Sequence, residues 1–394
     1  MVLLPLLVAL HASAAPARAR PDTLADRLRR ALGPFVAARA AADEFSGVVL
    51  VARRGTPIFA RAYGEADRAT HRPNTLDTRF NLGSANKMFT ALAIGQLVEA
   101  GRVALDTPFG RYLPDYPNRA VAERVTIRQL LSHTSGMGSY FTPAFVASRG
   151  RVKSVADLLP FFAGDSLQFA PGSRFAYSNA GFVVLGLVIE RVSGESYSDY
   201  LERHIFRPAG MTHTGFPVVD SLAGQGEGEG RGEGEYAIGY TRASGRDMRP
   251  GPGPRVPNTR VLPEARGGPA GGGYSTAGDM VAFSRALWSG RLLPLERVRA
   301  FTRGVTQMGG RVGGVGLPLR YGLGFGELTL DDTRIVGHNG GAPGVNAEFD
   351  MYPDRDAAVV VLSNDDPPAA TRVMMKIRQI VTGVTLPRRR PPHP

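Results

Sequence analysis

A chain of 394 residues, 43% hydrophobic and 21% charged, is long enough to bury a large core and has a globular composition. Its 47 basic and 35 acidic residues give a formal charge of +12, but the arginines run along the whole chain with no basic stripe or interleaved aromatics. That pattern argues against a nucleic-acid partner, and the absence of cysteine excludes disulfides, a thiol nucleophile and Cys-ligated metals.

The apolar run at residues 2–10 is too short to span a bilayer but suits the hydrophobic stretch of a signal peptide. Ala12, Ser13, Ala14 and Ala15 supply the small residues of a cleavage region, although no basic segment precedes the run. The expectation is a signal peptide over residues 1–19 and a secreted or periplasmic chain with no integral membrane segment in its mature form. Leu24, Leu28, Leu32, Phe35 and Val36 then recur at helical spacing over residues 22–43. Strands are predicted at 45–52 and 56–63 around the turn Arg53-Arg54-Gly55. A helix follows over 87–100, stopped by Gly101. Residues 125–136 read as a helix closing in a Gly-ended loop, and two more helices are predicted at 181–192 and 197–206.

The middle of the chain changes character. Residues 224–235 are a low-complexity Gly/Glu tract followed by Pro/Gly-rich sequence, and repeated glycine maximises backbone entropy while offering nothing to bury. A mobile loop over about 221–270 is expected. A helix through Trp288, strands at 346–352 and 357–362, a last helix over 369–381 and a Pro/Arg-rich tail at 386–394 complete the reading. The fold class is therefore α/β (α+β), with one central antiparallel sheet drawn from both termini and flanked by helices. Within a unit spanning 22–385, the sheet part covers about 22–87 and 270–385, and a mostly helical subdomain over 88–215 is inserted.

The stretch with most chemical content is Ser84-x-x-Lys87, on a loop that turns into a helix. Positions i and i+3 share a helical face, so the hydroxyl and the amine can meet. The chain has three lysines, Lys87, Lys153 and Lys376, the other 44 of its 47 basic residues being arginine. Arginine is effectively never deprotonated, whereas a buried lysine can serve as a base. Ser84 is thus a candidate nucleophile and Lys87 its activator. Tyr177 and Asn179 precede the helix at 181–192, with Asn179 placed like an N-cap and the Tyr177 hydroxyl able to shuttle a proton. His338-Asn339-Gly340-Gly341 follows a strand-like run, and its glycines allow another backbone to approach closely. The seven histidines make no metal-ligand spacing, and no G-x-S-x-G or P-loop motif occurs.

Taken together, Ser84-x-x-Lys87, Tyr177-x-Asn179 and His338-Asn339-Gly340 resemble the serine β-lactamase and penicillin-binding-protein superfamily. The Tyr-x-Asn form is similar to class C β-lactamases, D-alanyl-D-alanine carboxypeptidases and related esterases, and residues 130–136 and 271–276 support the likeness, which covers about 25–385. The resemblance implies a β-lactamase/transpeptidase-like fold and catalysis by Ser84, Lys87 and Tyr177 through an acyl-enzyme. It further implies an oxyanion hole from the backbone N–H groups of Ser84 and Gly341, and substrate binding by Asn179, His338, Asn339 and Gly340. No cofactor or metal is implied. His133 has no role in the matched motifs and reads as a structural loop residue. Many relatives carry lysine where this chain has His338; a histidine near its reference pKa of about 6.5 offers less fixed charge. The expected activity is hydrolysis of a small ester or amide, as an esterase or a D-amino-acid-type peptidase on a small-molecule or peptide substrate. Alternatives are a D-alanyl-D-alanine carboxypeptidase, a weak class C-like β-lactamase, or a non-catalytic sensor of envelope fragments.

Overall fold

The computed structural model describes residues 23–148, 152–217, 236–242, 251, 253–261, 267–308 and 318–384. The expected signal peptide, the Gly/Glu tract and the Pro/Arg tail lie outside these residues. No described helix is long and apolar enough to cross a membrane.

A helical run from Leu24, capped by Thr23 and Asp26, passes through a π-helical stretch Leu28–Leu32 into α1 (Gly33–Ala41). It is followed by the hairpin β1 (Gly47–Arg53) and β2 (Thr56–Tyr63), turned at Arg54 and Gly55, both at positive φ. Next come α2 (Lys87–Glu99), α3 (Asn179–Ser193) and α4 (Ala277–Trp288). The chain ends in β3 (Thr306–Gln307), β4 (Leu319–Tyr321), β5 (Gly326–Leu330), β6 (Thr333–Ala342), β7 (Val345–Tyr352), β8 (Ala357–Ser363) and α5 (Ala369–Thr382). These eight strands form one sheet in the order β2-β1-β8-β7-β6-β5-β4-β3, every pair antiparallel. The N-terminal hairpin closes against the C-terminal strand, so both ends of the chain build the sheet.

Side-chain alternation explains why β1 is apolar along nearly its whole length. Val48, Leu50 and Ala52 face the helical layer with Phe89, Phe283, Val360 and Leu362. Val49 and Val51 face the terminal helices with Leu28, Leu32, Val373 and Ile377. A strand covered on both faces reads as a continuous apolar run rather than an alternating one. In α5, Arg378 makes a two-armed salt bridge to Asp350 (2.7 and 2.8 Å) and Thr371 donates to Glu348 (2.6 Å), fixing the helix on β7.

The parts of residues 221–270 that are described are ordered by pairing. Tyr240–Thr241 forms a short antiparallel ladder with Val256–Pro257, and Tyr240 is buried. The Tyr240 hydroxyl donates to Asp67 (2.7 Å) and accepts from the Arg68 N–H (2.8 Å), contacts across the chain that the local Gly/Pro content does not reveal.

Candidate active site

Ser84 lies in a single 3-10 turn, Gly83–Asn86, that runs directly into α2. The turn is held from both sides. Phe80–Asn81 pairs with Tyr274–Ser275, and the Leu82 N–H donates to the Gly273 carbonyl (2.8 Å). On the other side it packs against β6. A Cβ added to Gly340 would fall 1.9 Å from the Leu82 carbonyl oxygen and 2.9 Å from the Ser84 nitrogen. Only glycine lets the two backbones approach this closely. The alignment leaves Gly341 beside the turn, with its nitrogen 3.0 Å from a Cβ built on Gly83.

Lys87, one turn beyond Ser84, is fully buried. Its Nζ donates to Ser84 Oγ (3.2 Å), to Asn179 Oδ1 (2.8 Å) and to the Ala270 carbonyl. None of these acceptors carries a negative charge. Burial therefore pushes the amine well below the ordinary lysine pKa. The ring of Tyr177 lies 4.8 Å and that of Phe182 5.4 Å from Nζ, contacts that favour the charged form only weakly against that desolvation.

Tyr177 is partly exposed, and its hydroxyl interacts with the Ser84 side chain. Burial raises its pKa, with the Ser84 hydrogen bond pulling the other way, so the phenol keeps its proton at neutral pH. Ser178, rather than Asn179, caps α3: its Oγ accepts from the Gly181 N–H (2.9 Å) while its backbone is extended. Asn179 is the first helical residue, and its amide oxygen is free to take the Lys87 bond.

His338 differs from the sequence expectation. Its Nδ1 donates to the Asn339 carbonyl (2.6 Å), and its Nε2 accepts from the buried Tyr321 hydroxyl (2.9 Å). Burial first, and the nearby Lys87 charge second, lower its pKa to about 3. It is a neutral, internally bonded imidazole and not one poised near 6.5. His133 is likewise fully buried, and desolvation first of all lowers its pKa well below the ordinary histidine value. Its Nδ1 accepts from the Ser178 N–H (3.1 Å), and its ring lies 4.2 Å from that of Tyr177. It is a structural residue whose place is directly behind Tyr177.

A cavity of about 1090 Å3, counting its open mouth, lies over Ser84. Asn179 and Gly341 line it, whereas Lys87, Tyr177, His338, Asn339 and Gly340 do not. Asn339 is exposed, and Gly340 faces the Ser84 turn. Its walls include Tyr140, Phe141, Phe145, Ile238, Tyr274 and Val345, and no charged side chain lines it among the described residues. Sequence reasoning missed these aromatic walls, and it missed the seam formed by Asn86 and Thr90. Asn86 donates to the Gly268 carbonyl (2.9 Å) and Thr90 to the Pro269 carbonyl (2.7 Å), and both bond the Tyr197 hydroxyl. Together they fix the segment whose Ala270 carbonyl meets Lys87. Polar residues four apart on an otherwise apolar helix were the available signal. No group of three or more His, Asp or Glu side chains suited to a metal occurs among the described residues.

The Beta-lactamase family profile matches residues 29–383. The chain belongs to this family. It is 31% identical over 321 residues to the putative penicillin-binding protein PbpX of Bacillus subtilis, covering 81% of this chain and 71% of that one. Esterase EstB of Burkholderia gladioli is also 31% identical over 321 residues, covering 74% of this chain and 76% of the esterase. Among solved structures, a penicillin-binding protein from Bacillus halodurans superposes with a TM-score of 0.72 at 32% identity, over 87% of this chain and 99% of that one.

Proposed function

We propose that this family member is a serine hydrolase that cleaves small, uncharged esters through an acyl-enzyme on Ser84. The observation that carries the reading is the Lys87 amine, buried among neutral acceptors and 3.2 Å from Ser84 Oγ. A neutral amine there takes the Ser84 proton as Oγ attacks the substrate carbonyl carbon. The backbone N–H groups of Ser84 and Gly341 receive the developing oxyanion, where one donor is worth about 10²–10³ in rate. Tyr177, protonated at neutral pH, passes a proton to the departing alkoxide and is restored through Lys87. Water then enters by the reverse relay and releases the acid. Asn179 orients the Lys87 amine toward Ser84.

The substrate class follows from what lines the cavity. Its described walls are apolar and aromatic with amide and hydroxyl groups, and His338 offers no positive charge to a substrate carboxylate. An ester with a neutral, apolar acyl group suits such walls better than a peptide ending in a free carboxylate. EstB is an esterase by name, which supports the same direction. The apolar run at residues 2–10 supports export to a secreted or periplasmic setting.

The test compares turnover of p-nitrophenyl butyrate, release of D-alanine from a D-alanyl-D-alanine peptide, and labelling by a fluorescent penicillin. Ester turnover at least a hundredfold faster than D-alanine release is expected, all of it lost in Ser84→Ala. Preferential release of D-alanine would overturn the substrate assignment, and equal turnover by Ser84→Ala would overturn the mechanism.

A further inference from the structure

A second cavity lies at the end of the sheet away from Ser84. In the β1–β8 pair, Gly47 and Ser363 mark one end and Arg53 and Ala357 the other. Gly341 is joined to the first end through Asn346, which pairs with both Gly341 and Ser363. The second cavity, of about 1050 Å3 counting its open mouth, opens at the Arg53–Ala357 end. It is bounded by the β1–β2 turn, the β7–β8 turn and the Val281–Trp288 part of α4.

Its lining divides into an apolar floor and a basic rim. Ala52, Val281 and Ala358 form the floor with one side of Trp288. Arg54 comes from the hairpin turn and Arg285 from α4, and neither guanidinium has a side-chain partner among the described residues. Arg285 is laid across the turn: a Cβ on Gly55 would fall 2.4 Å from Arg285 Cδ, so glycine at 55 leaves room for the stem. Ser284, only 7% exposed, lines the cavity with a hydroxyl that makes no hydrogen bond among the described residues. The Trp288 indole N–H is buried without a partner. A buried donor left unpaired costs on the order of 1–3 kcal/mol, so a small rotation toward an acceptor in the cavity is favourable. Asp356, whose backbone carbonyl accepts from the Arg54 N–H (2.7 Å), supplies a carboxylate to the lining. Two guanidinium groups against one carboxylate leave a surplus of one positive charge among the described lining residues.

We propose that this cavity is a binding site for an amphipathic monocarboxylate, its apolar body on the Ala52–Val281–Ala358 floor and its carboxylate between Arg54 and Arg285. A guanidinium fork matches a carboxylate in two-armed geometry, and the surplus of one charge selects a monoanion over a dianion. Ser284 and the Trp288 N–H supply the further donors that a carboxylate with four lone-pair sites can use. The site is independent of the Ser84 chemistry and does not rest on it.

Trp288 is the chain's single tryptophan, so intrinsic emission reports this cavity alone. The experiment titrates hexanoate, and separately neutral hexanamide, into the full chain, following tryptophan emission and, in parallel, heat by calorimetry. Saturable hexanoate binding is expected, at least tenfold weaker for hexanamide and at least tenfold weaker in Arg285→Gln and in Arg54→Gln. Both arginines are surface residues, and an unchanged melting temperature verifies that the variants are folded. Absence of both an emission change and binding heat overturns the proposal, as does equal affinity for hexanamide or undiminished affinity in both variants.

Discussion

The Lys87 amine reaches Ser84 Oγ at 3.2 Å while every other hydrogen bond it makes goes to a neutral oxygen, Asn179 Oδ1 or the Ala270 carbonyl. A lysine meant as a structural cation would be expected beside a carboxylate. Here desolvation acts without an opposing ion pair, and it lowers the amine's pKa well below the ordinary lysine value.

Lys87→Arg therefore tests the base directly. Arginine keeps the charge but cannot lose its proton near neutrality. Ester turnover should fall by about 10²–10⁴, the usual worth of a positioned general base. Turnover within a few-fold of the wild type would show that a plain cation suffices at this position.

His338 yields a prediction of the opposite kind. Because its pKa is lowered to about 3, first by burial and then by Lys87, it does not change charge between pH 5.5 and 7.5. The pH–rate profile of His338→Gln should keep the wild-type shape across that window, whatever its height. Loss of an inflection there would restore His338 as a titrating group. His338→Lys would place an ammonium group where a buried neutral imidazole now sits and should lower both melting temperature and turnover.

How far the sequence disclosed this site depends on whether the information was local. Ser84 and Lys87 sit one helical turn apart, so their meeting follows from periodicity. The strands at 47–53 and 357–363 were readable because a sheet buried on both faces demands long apolar runs, and the strand at 345–352 because Ala347, Phe349 and Met351 alternate with Asn346, Glu348 and Asp350. The pKa of His338 was not readable. It is set first by burial that only the assembled sheet creates and then by Lys87, which lies on a helix 251 positions earlier in the chain. The Ala270 carbonyl was equally hidden, because a Gly/Pro-rich segment gives no local sign that Asn86 and Thr90 will hold it. Ser178 was passed over as the cap of α3 because its neighbour Asn179 is also a good capping residue.

Gly340 offers a steric test. A Cβ there would meet the Leu82 carbonyl at 1.9 Å and the Ser84 nitrogen at 2.9 Å, so Gly340→Ala must push β6 off the Ser84 turn. Turnover should fall at least a hundredfold, as expected when reacting groups are displaced by about 1 Å. Gly341→Ala meets only Pro367 Cγ at 3.2 Å and keeps its N–H, so it should cost far less. Equal losses in the two variants would contradict this account of the strand's approach.

Glu348 gives a stability prediction. Burial raises its carboxyl from 4.5 to about 7, and Asp350 reinforces the shift while Arg378 and Thr371 oppose it. A carboxyl with a raised folded-state pKa stabilises the fold fully below its unfolded pKa, and this contribution is lost as pH rises through about 7. The loss has a ceiling of about 3 kcal/mol at 1.36 kcal/mol per pKa unit. Glu348→Gln should flatten the dependence of urea midpoint on pH between 4.5 and 7. A midpoint that varies with pH in the variant as it does in the wild type would remove Glu348 from that linkage.

The central claim is that Ser84 carries the acyl group. The most direct measurement is intact-protein mass spectrometry after rapid acid quench of a p-nitrophenyl butyrate reaction, followed by peptide mapping. A butyryl adduct confined to the peptide containing Ser84, and absent from Ser84→Ala, is the predicted result. An adduct on another residue, or ester turnover that persists in Ser84→Ala, would contradict it.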